Sequence, residues 1–371
     1  MMLARACALV YTCPHLSSSS SSSGADLPEP YLTSWECSRT LWRVFSSFTK
    51  DPQQCPVKMP QPRVKLVVTG DDFGYCERRN RGIVDCFQAG GISNVSLLVN
   101  AVSAEDAAEL AKRHHIPIGL HANLSEGAPV CQELKRSTLL NKDGFFHGKM
   151  GFREVLQSGQ MNMAEVEAEL RAQVKRFCEL TGHLPSHMDG HQHVHVLPEV
   201  RDVFAQVLSD FGISYTRVPV EPGLHSCTFL PPHLRDFYLQ VEKDALQSVE
   251  VFHRHGIRWP DVYLGLSTMG QNMSLTNLKR ALGFALEART SSTAQSDNIC
   301  APDSNQPITV ELMVHPGYPS HPLQGGCGEG PDDFSQSSDR LHELNTLRDP
   351  ALLGYYKQQG ILLCAFNHLN T

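Results

Sequence analysis

Residues 65–74 read KLVVTGDDFG, a short apolar run that ends in two adjacent aspartates between small residues. From here to the C-terminus, short apolar runs alternate with longer segments of helical periodicity, which is typical of β–α units around a parallel sheet. Seven or eight such repeats predict an α/β protein, a distorted parallel (β/α) barrel. The predicted strands are 65–69, 94–99, 118–122, 186–188, 215–218, 261–266, 308–313 and 361–364.

Helical segments separate the predicted strands, and two other stretches fit neither pattern. Residues 1–60 contain seven consecutive serines and several prolines, and they predict a low-complexity, disordered extension. Residues 291–307 (SSTAQSDNICAPDSNQP) predict a flexible surface insertion in a barrel domain that spans residues 64–371. The predicted helices are 81–89, 104–114, 163–180, 198–211, 234–255, 276–288, and 339–359 with a break at Pro350.

The composition of the 371 residues excludes several classes of protein. It is that of a globular chain, with 41% apolar and 19% charged residues. No apolar run exceeds six residues, whereas a membrane-spanning helix needs about 20, so we expect no membrane segment. The net charge of −7 argues against a nucleic-acid partner, which would require a basic surface.

The cysteines and the first residues bear on the compartment. Twelve cysteines are scattered without a CxxC pair, which favours reduced thiols and a cytoplasmic location. The chain begins MMLARACALVYTC, with an arginine and no acidic residue, so organellar targeting is the alternative. Nothing in the sequence indicates a protein partner.

Polar residues follow most of the predicted strands, at the point where each strand ends. In a parallel barrel the carboxyl ends of all strands open on one face, so residues far apart in sequence meet there. We therefore expect one functional rim. Its candidate members are Asp71 and Asp72 after the first strand, His121 in the third, Asp189, His191, His193 and His195 after the fourth, Arg217 in the fifth, and His315 after the seventh.

Two adjacent carboxylates, Asp71 and Asp72, repel each other unless a positive group lies near them, and a divalent cation is the usual one. Neighbouring side chains on a strand point to opposite sides, so one aspartate can hold an ion while the other stays free as a base. The alternative is that one of them caps the helix that follows. The doublet and the strand-end histidines together favour a metal site.

Five histidines lie within residues 183–195, and neutral imidazole is a common ligand of zinc and similar ions. His191, His193 and His195 alternate, so they share one face if the segment is extended. A catalytic metal keeps about three protein ligands and leaves room for water. With Asp72 and His121 present, the sequence leaves open which of the three histidines is a ligand. A hydrogen-bonded histidine cluster without metal is the alternative.

Five strand-end motifs follow one another along the chain: TGDDFG (69–74), GLHANLSEG (119–127), HMDGHQHVHVLP (187–198), TRVP (216–219) and ELMVHPGYPS (311–320). Together they resemble the motifs of the YdjC-like carbohydrate (chitooligosaccharide) deacetylases. The resemblance covers residue 64 to the C-terminus and leaves the first 60 residues unmatched. It implies a barrel like that of the glycoside hydrolase/deacetylase superfamily, and removal of acetyl groups from N-acetylated sugars with a divalent metal.

The resemblance also implies roles for individual residues. The family holds its metal with one aspartate and two histidines, which correspond here to Asp72, His121 and His191. The first aspartate of the doublet, Asp71, corresponds to the proton acceptor. The resemblance implies Mg²⁺ as the ion, whereas the imidazole ligands leave Zn²⁺ open.

Hydrolysis of an amide needs an activated water, a stabilised oxyanion and a protonated amine, and a divalent ion can supply the first two. Asp71 then acts as general base. His315 is the candidate general acid, with a turn histidine before Pro316 as the alternative. The other rim residues are expected to lie behind the ligands or to contact substrate: Asp189, His193, His195 and Arg217. For Arg217 the alternative is a simple surface or salt-bridge arginine.

The expected substrate is an acetylated oligosaccharide of the N-acetylglucosamine type. Phe145, Phe146 and His147 are candidates for stacking on a sugar ring.

Two other functions fit the same aspartates and histidines of the rim. One is a metal hydrolase of a non-sugar amide or ester, because a fold and a ligand set do not fix the substrate. The other is a scaffold or binding protein that keeps the barrel without catalysis, against which the intact set of aspartates and histidines argues.

Overall fold

The computed structural model of the chain describes residues 64–134, 136–292 and 306–369. The predicted extension, residues 1–60, and most of the predicted insertion, residues 293–305, lie outside these ranges. At the edges of the insertion, residues 291 and 292 complete a helix and strand structure resumes at Ile308. The division into an extension and a barrel domain with a flexible insertion stays a prediction.

Seven strands form one sheet in the described part of the chain: β1 (Val64–Phe73), β2 (Asn94–Leu97), β3 (Ile118–Ala122), β4 (Met188–Gly190), β5 (Val262–Leu264), β6 (Ile308–Val314) and β7 (Ile361–Leu363). All pairs are parallel, in the order β4-β3-β2-β1-β6-β5, with β7 also beside β1. One side of β1 pairs with β6 along residues 64–70, and the other side pairs first with β7 and then with β2. β1 is therefore covered by strands on both edges, and all ten of its residues are buried, which agrees with its apolar residues 66–68.

The predicted strand at 215–218 is wrong, because this segment forms only a single bridge between Tyr215 and Arg258. The Thr216 N–H donates to the Arg258 carbonyl at 2.9 Å, and the Met188 N–H donates to the Tyr215 carbonyl at 3.0 Å. Pro219 follows directly and has no N–H to extend the pairing. The segment spans the gap between β4 and β5, so the predicted distorted barrel is confirmed as an incomplete one.

Ten α-helices surround the sheet within the described ranges: α1 (Glu77–Gln88), α2 (Ala104–His114), α3 (Gly148–Gln157), α4 (Met163–Thr181), α5 (Val200–Phe211), α6 (Pro232–Arg254), α7 (Leu275–Ser292), α8 (Asp333–Gln336), α9 (Asp339–Leu347) and α10 (Pro350–Gln358). Helix α2 occupies the predicted residues, and the predicted break at Pro350 separates α9 from α10. The sequence does not predict α3 or α8. None of the described helices combines the length and the apolar character that crossing a membrane requires.

Burial divides the domain into an apolar body and a polar end. Leu66, Leu120 and Leu312, in three different strands, are completely buried in the main hydrophobic core. At the carboxyl ends of the strands the buried side chains are instead ionisable, as with Asp71 and Arg217. Burial of charged groups costs free energy unless they are paired or bind an ion. The strand ends are therefore the place to search for a functional site.

Candidate active site and metal centre

A cavity of about 530 Å³ lies over the carboxyl ends of the strands. Its volume falls in the range of small-molecule sites in proteins, about 300–1,000 Å³. Most residues of the predicted rim line this cavity. The predicted site residues that line it are Asp71, Asp72, His121, His191, His193, Arg217 and His315.

Three side chains from β1, from β3 and from the turn after β4 converge on one point. Asp72 Oδ1 lies 3.2 Å from His191 Nδ1 and 3.6 Å from His121 Nε2, and the two imidazole nitrogens are 3.3 Å apart. All three residues are buried. Within the described residues, Asp72 Oδ1 has no hydrogen-bond partner. One carboxylate oxygen and two imidazole nitrogens facing one another are a donor set that suits a divalent ion.

The end of β1 differs from the simple alternation expected for Asp71 and Asp72. The pairing of β1 with β2 shifts register between Gly70 and Phe73, and Asp72 has the left-handed φ of 61°. As a result both carboxylates approach the same atom, His121 Nε2, at 3.8 and 3.6 Å. Such strained conformations cluster at functional sites. The helix-capping alternative is wrong, because Cys76 caps α1 by accepting the Arg79 N–H.

His121 is oriented by a carboxylate behind it. Its Nδ1 donates to Asp189 Oδ1 at 2.5 Å, so the opposite nitrogen, Nε2, faces Asp72. Burial alone would raise the pKa of Asp189, but Arg217 and His121 hold that pKa well below its ordinary value. A carboxylate that fixes the tautomer of a ligand histidine is a usual feature of metal sites.

His191 presents the opposite nitrogen to the site. Its Nδ1 faces Asp72, while its Nε2 lies 3.0 Å from Glu126 Oε2. Burial alone would lower the pKa of His191, but the neighbouring carboxylates of Asp72 and Glu126 raise it to about 10. A divalent ion at Nδ1 would therefore have to displace a proton there.

The turn after β4 is not extended, so the condition under which the three histidines would share one face is not met. Residues 191–196 form a 3₁₀ turn, and Gln192 and His193 have left-handed φ angles of 53° and 59°. His195 points into the core, where its Nε2 donates to the Arg217 carbonyl at 3.0 Å. His193 lines the cavity, and burial holds its pKa well below the ordinary value. Of the three, only His191 lies beside Asp72 and His121.

Arg217 is the centre of a buried charge network and not a surface residue. It donates to both oxygens of Asp71 at 2.7 and 2.9 Å. It also donates to Glu311 Oε1 at 2.8 Å and lies 3.0 Å from Asp189 Oδ2. Burial raises the pKa of Asp71, although Arg217 and His121 oppose this change. One cation thus faces three carboxylates, none of which is more than 1% exposed.

His315 follows β6 and is held on both sides of its backbone. Its N–H donates to Glu343 Oε2 at 2.5 Å, and its carbonyl accepts from Arg340 Nη1 at 3.0 Å. The imidazole lies edge-on to the Phe334 ring at 5.6 Å. Burial holds the pKa of His315 well below its ordinary value and so favours the neutral ring. Its backbone is therefore fixed while its ring faces the cavity.

Several residues of the site are absent from the sequence-based predictions. Glu126, behind His191, belongs to the motif GLHANLSEG, five positions after His121, but its role depends on the path of the loop. Arg79 of α1 lies 3.4 Å from Asp72 Oδ2. The predicted sugar-stacking wall is wrong, because Phe146 is buried in the core and neither it nor its neighbours line the cavity. The aromatic residues that do line the cavity are Tyr75, Phe237, Tyr238 and Phe334.

Known proteins resemble the chain over most of its length. The sequence model of the family described as YdjC-like protein matches residues 65–358. A Danio rerio protein named carbohydrate deacetylase is 78% identical over 83% of this chain and 99% of its own length. The human protein of the same name is 50% identical over 84% of this chain and 93% of its own length. A chitooligosaccharide deacetylase of Yersinia enterocolitica is 35% identical over 81% of this chain and 98% of its own length.

Among solved structures, one from Enterococcus faecalis V583, described as a candidate cellobiose-phosphate cleavage protein, is similar to this chain. The two align with a TM-score of 0.57 over 83% of this chain and 99% of the bacterial one. The sequence identity is 20%, so the similarity concerns the fold alone. It agrees with the parallel, barrel-like sheet.

Proposed function

The chain belongs to the YdjC-like family, and on that basis we propose that it is a metal-dependent hydrolase that removes the N-acetyl group from acetylated carbohydrates. The names of the similar proteins support the reaction and the substrate class. The observation that carries the metal dependence is the convergence of Asp72, His121 and His191 beside the buried carboxylate of Asp71. Proposed substrates are oligosaccharides of the N-acetylglucosamine type.

The proposed metal ligands are Asp72 Oδ1, His121 Nε2 and His191 Nδ1. A divalent ion bound there would polarise the acetyl carbonyl and lower the pKa of a nearby water. Mg²⁺ is the proposed ion on family resemblance, and Zn²⁺ is the alternative that two imidazole ligands favour. The three ligand atoms are already close together, so binding needs little rearrangement of the chain.

Asp71 is the proposed general base. It takes a proton from the attacking water as the bond between the water oxygen and the acetyl carbon forms. Its burial raises its pKa, which makes the carboxylate a stronger base. The two hydrogen bonds from Arg217 fix the carboxylate in one orientation, so the base is positioned before substrate arrives.

His315 is the proposed general acid. The bond between the acetyl carbon and the sugar nitrogen breaks as His315 gives a proton to that nitrogen, which leaves acetate and an amino sugar. Burial favours the neutral ring, so His315 first takes up a proton from solvent, and negative charge that develops on the acetyl oxygen favours this uptake. Asp71 afterwards returns to solvent the proton that it took from the water, so solvent supplies one proton and receives one, and the two transfers balance.

The cavity walls support a sugar-sized substrate. Phe237 and Tyr238, from the first turns of α6, line one part of the cavity, and Phe334 lines another. A few polar groups among aromatic and apolar walls are the usual construction of a small-molecule site. The charged groups at the base of the cavity would then face the N-acetyl group.

Removal of the metal should abolish activity. We expect wild type loaded with Mg²⁺ or Zn²⁺ to release acetate from N,N′-diacetylchitobiose and from longer N-acetylglucosamine oligomers. Chelation should lower the rate by at least about 100-fold, because the ion supplies several kcal/mol of transition-state stabilisation. The rate of acetate release and the metal content are measured on the same samples, before chelation, after it, and after metal is restored.

An unchanged rate in protein shown to be free of metal would contradict the metal dependence. Loaded protein that hydrolyses only non-sugar amides or esters would contradict the substrate class. Loaded protein without any hydrolytic activity would favour the scaffold function.

A further inference from the structure

The imidazole of His191 is contacted on both of its nitrogens by carboxylates. Asp72 lies on the Nδ1 side at 3.2 Å, and Glu126 Oε2 lies on the Nε2 side at 3.0 Å. The backbone of the following residues, Gln192 and His193, is left-handed, so no regular helix or strand holds this ring. Its orientation therefore depends on the side chains that it contacts.

We propose that Glu126 is a positioning residue that makes His191 bind the metal through Nδ1, and that Tyr75 holds Glu126 in place for this purpose. The proposal rests on the metal site of the proposed function. When His191 carries its proton on Nε2 and donates it to Glu126, Nδ1 has no proton and its lone pair can bind the metal. Hydrogen-bond partners behind ligand histidines fix both the tautomer and the direction of the ring.

Glu126 is well placed for this role because its own backbone is fixed. The Asn123 side chain accepts the Glu126 N–H at 2.9 Å and donates to the Glu126 carbonyl at 2.8 Å. Asn123 is itself completely buried and bound to Gln173 of α4, at 2.9 Å through its N–H and at 2.6 Å through its carbonyl. The loop after β3 is therefore anchored to a helix before it reaches His191.

The second carboxylate oxygen of Glu126 is also engaged. The Tyr75 hydroxyl donates to Glu126 Oε1 at 2.8 Å and accepts the Asp332 N–H at 2.9 Å. The direction of these two hydrogen bonds is fixed, because the backbone N–H of Asp332 can only donate. The Tyr75 proton therefore points at Glu126, and Glu126 Oε2 is left to accept from His191. Tyr75 lies three residues after Asp72. The same segment therefore supplies one metal ligand, Asp72, and also supports Glu126, the residue behind His191.

The two histidines of the site are thus supported in the same manner on opposite nitrogens. His121 donates from Nδ1 to Asp189, and His191 faces Glu126 with Nε2. Asp189 is fully buried beside Arg217, whereas the Glu126 side chain is 14% exposed. Removal of Glu126 therefore leaves the Arg217 network intact, which makes its effect on the metal measurable without loss of the fold.

The test measures the dissociation constants of Zn²⁺ and Mg²⁺ for full-length wild type and for variants. Glu126→Ala should weaken binding by about 10- to 100-fold, the usual effect of losing such a partner. Glu126→Gln, which keeps the shape and one acceptor oxygen, and Tyr75→Phe should weaken it less. Glu242→Gln is the matched control, because Glu242 pairs with His225 at 2.6 Å, has a side chain that is 10% exposed, and does not line the cavity.

A second readout reports the nitrogen that binds the metal. In ¹⁵N–¹H spectra of the imidazoles of Zn²⁺-loaded wild type, His191 should carry its proton on Nε2. Coordination of wild type through Nε2, or a Glu126→Ala variant with the affinity of wild type, would overturn the proposal. If wild type binds no divalent ion, or if Asp72→Ala binds it as well as wild type does, the proposed metal site itself fails, and this inference fails with it.

Discussion

Replacement of Asp71 by asparagine should lower kcat for deacetylation by about 100- to 10,000-fold, which is the usual contribution of a general base. Asparagine has nearly the same shape and keeps one oxygen that can accept from Arg217, but it cannot take a proton from water. The metal ligands Asp72, His121 and His191 are unchanged. The metal dissociation constant of the variant should therefore stay close to that of wild type, and this separates the role of base from that of ligand.

The measurement is kcat on N,N′-diacetylchitobiose at saturating metal, together with the metal content of each sample. Asp339→Asn is the matched control, because Asp339 also lines the cavity but its Oδ1 accepts from Gln271 at 2.6 Å. That variant should keep most of the wild-type kcat. Metal-loaded Asp71→Asn with a kcat similar to that of the control would show that Asp71 is not the base.

Replacement of Arg217 by methionine should lower the free energy of unfolding by about 3–5 kcal/mol, the usual effect of removing one partner from a buried ion pair. Methionine fills much of the volume of the arginine stem but carries no charge. Asp71, Asp189 and Glu311 would then be buried together without the cation that links them. Urea-induced unfolding of metal-free wild type and variant measures the difference.

Arg171→Met provides the control for this stability prediction. Arg171 also pairs with two carboxylates, Glu167 and Asp210, but on the protein surface. Water screens such pairs, so this variant should unfold at nearly the same urea concentration as wild type. Equal stability of the Arg217 and Arg171 variants would contradict the view that the buried network depends on a single cation.

Strand positions explain why part of the site could be predicted from the sequence. Asp72, His121 and His191 follow or end strands β1, β3 and β4, and parallel strands bring their carboxyl ends to one edge. Their proximity follows from the topology once the strands are identified. The apolar runs are sufficient to identify these strands: the observed starts of β2, β3 and β6 agree with the predicted ones.

Backbone irregularities explain what could not be predicted. Asp72, Gln192 and His193 are non-glycine residues with positive φ, a conformation that tertiary contacts impose and that no residue pattern indicates. The first turns a carboxylate at the end of β1, and the other two form a 3₁₀ turn, whereas only an extended segment would place the three histidines on one face. The alternation of His191, His193 and His195 in the sequence therefore does not place their side chains on one face.

Partners from distant parts of the chain were a second limit. The sequence places Arg217 on the rim but does not show that it faces Asp71, Asp189 and Glu311, which come from separate strands. Glu126 lies in a loop, and its contact with His191 depends on the anchoring of that loop by Asn123. Hydrogen-bond networks of this kind are specified by packing and not by a local period.

We propose that Asp72, His121 and His191 together hold one divalent ion. Anomalous diffraction from crystals of the protein soaked in Zn²⁺ or Mn²⁺ tests it most directly. We expect a single strong peak about 2 Å from Asp72 Oδ1, His121 Nε2 and His191 Nδ1. A peak between Asp71, His121 and Asp189 instead, or an ion bound without His191, would contradict it.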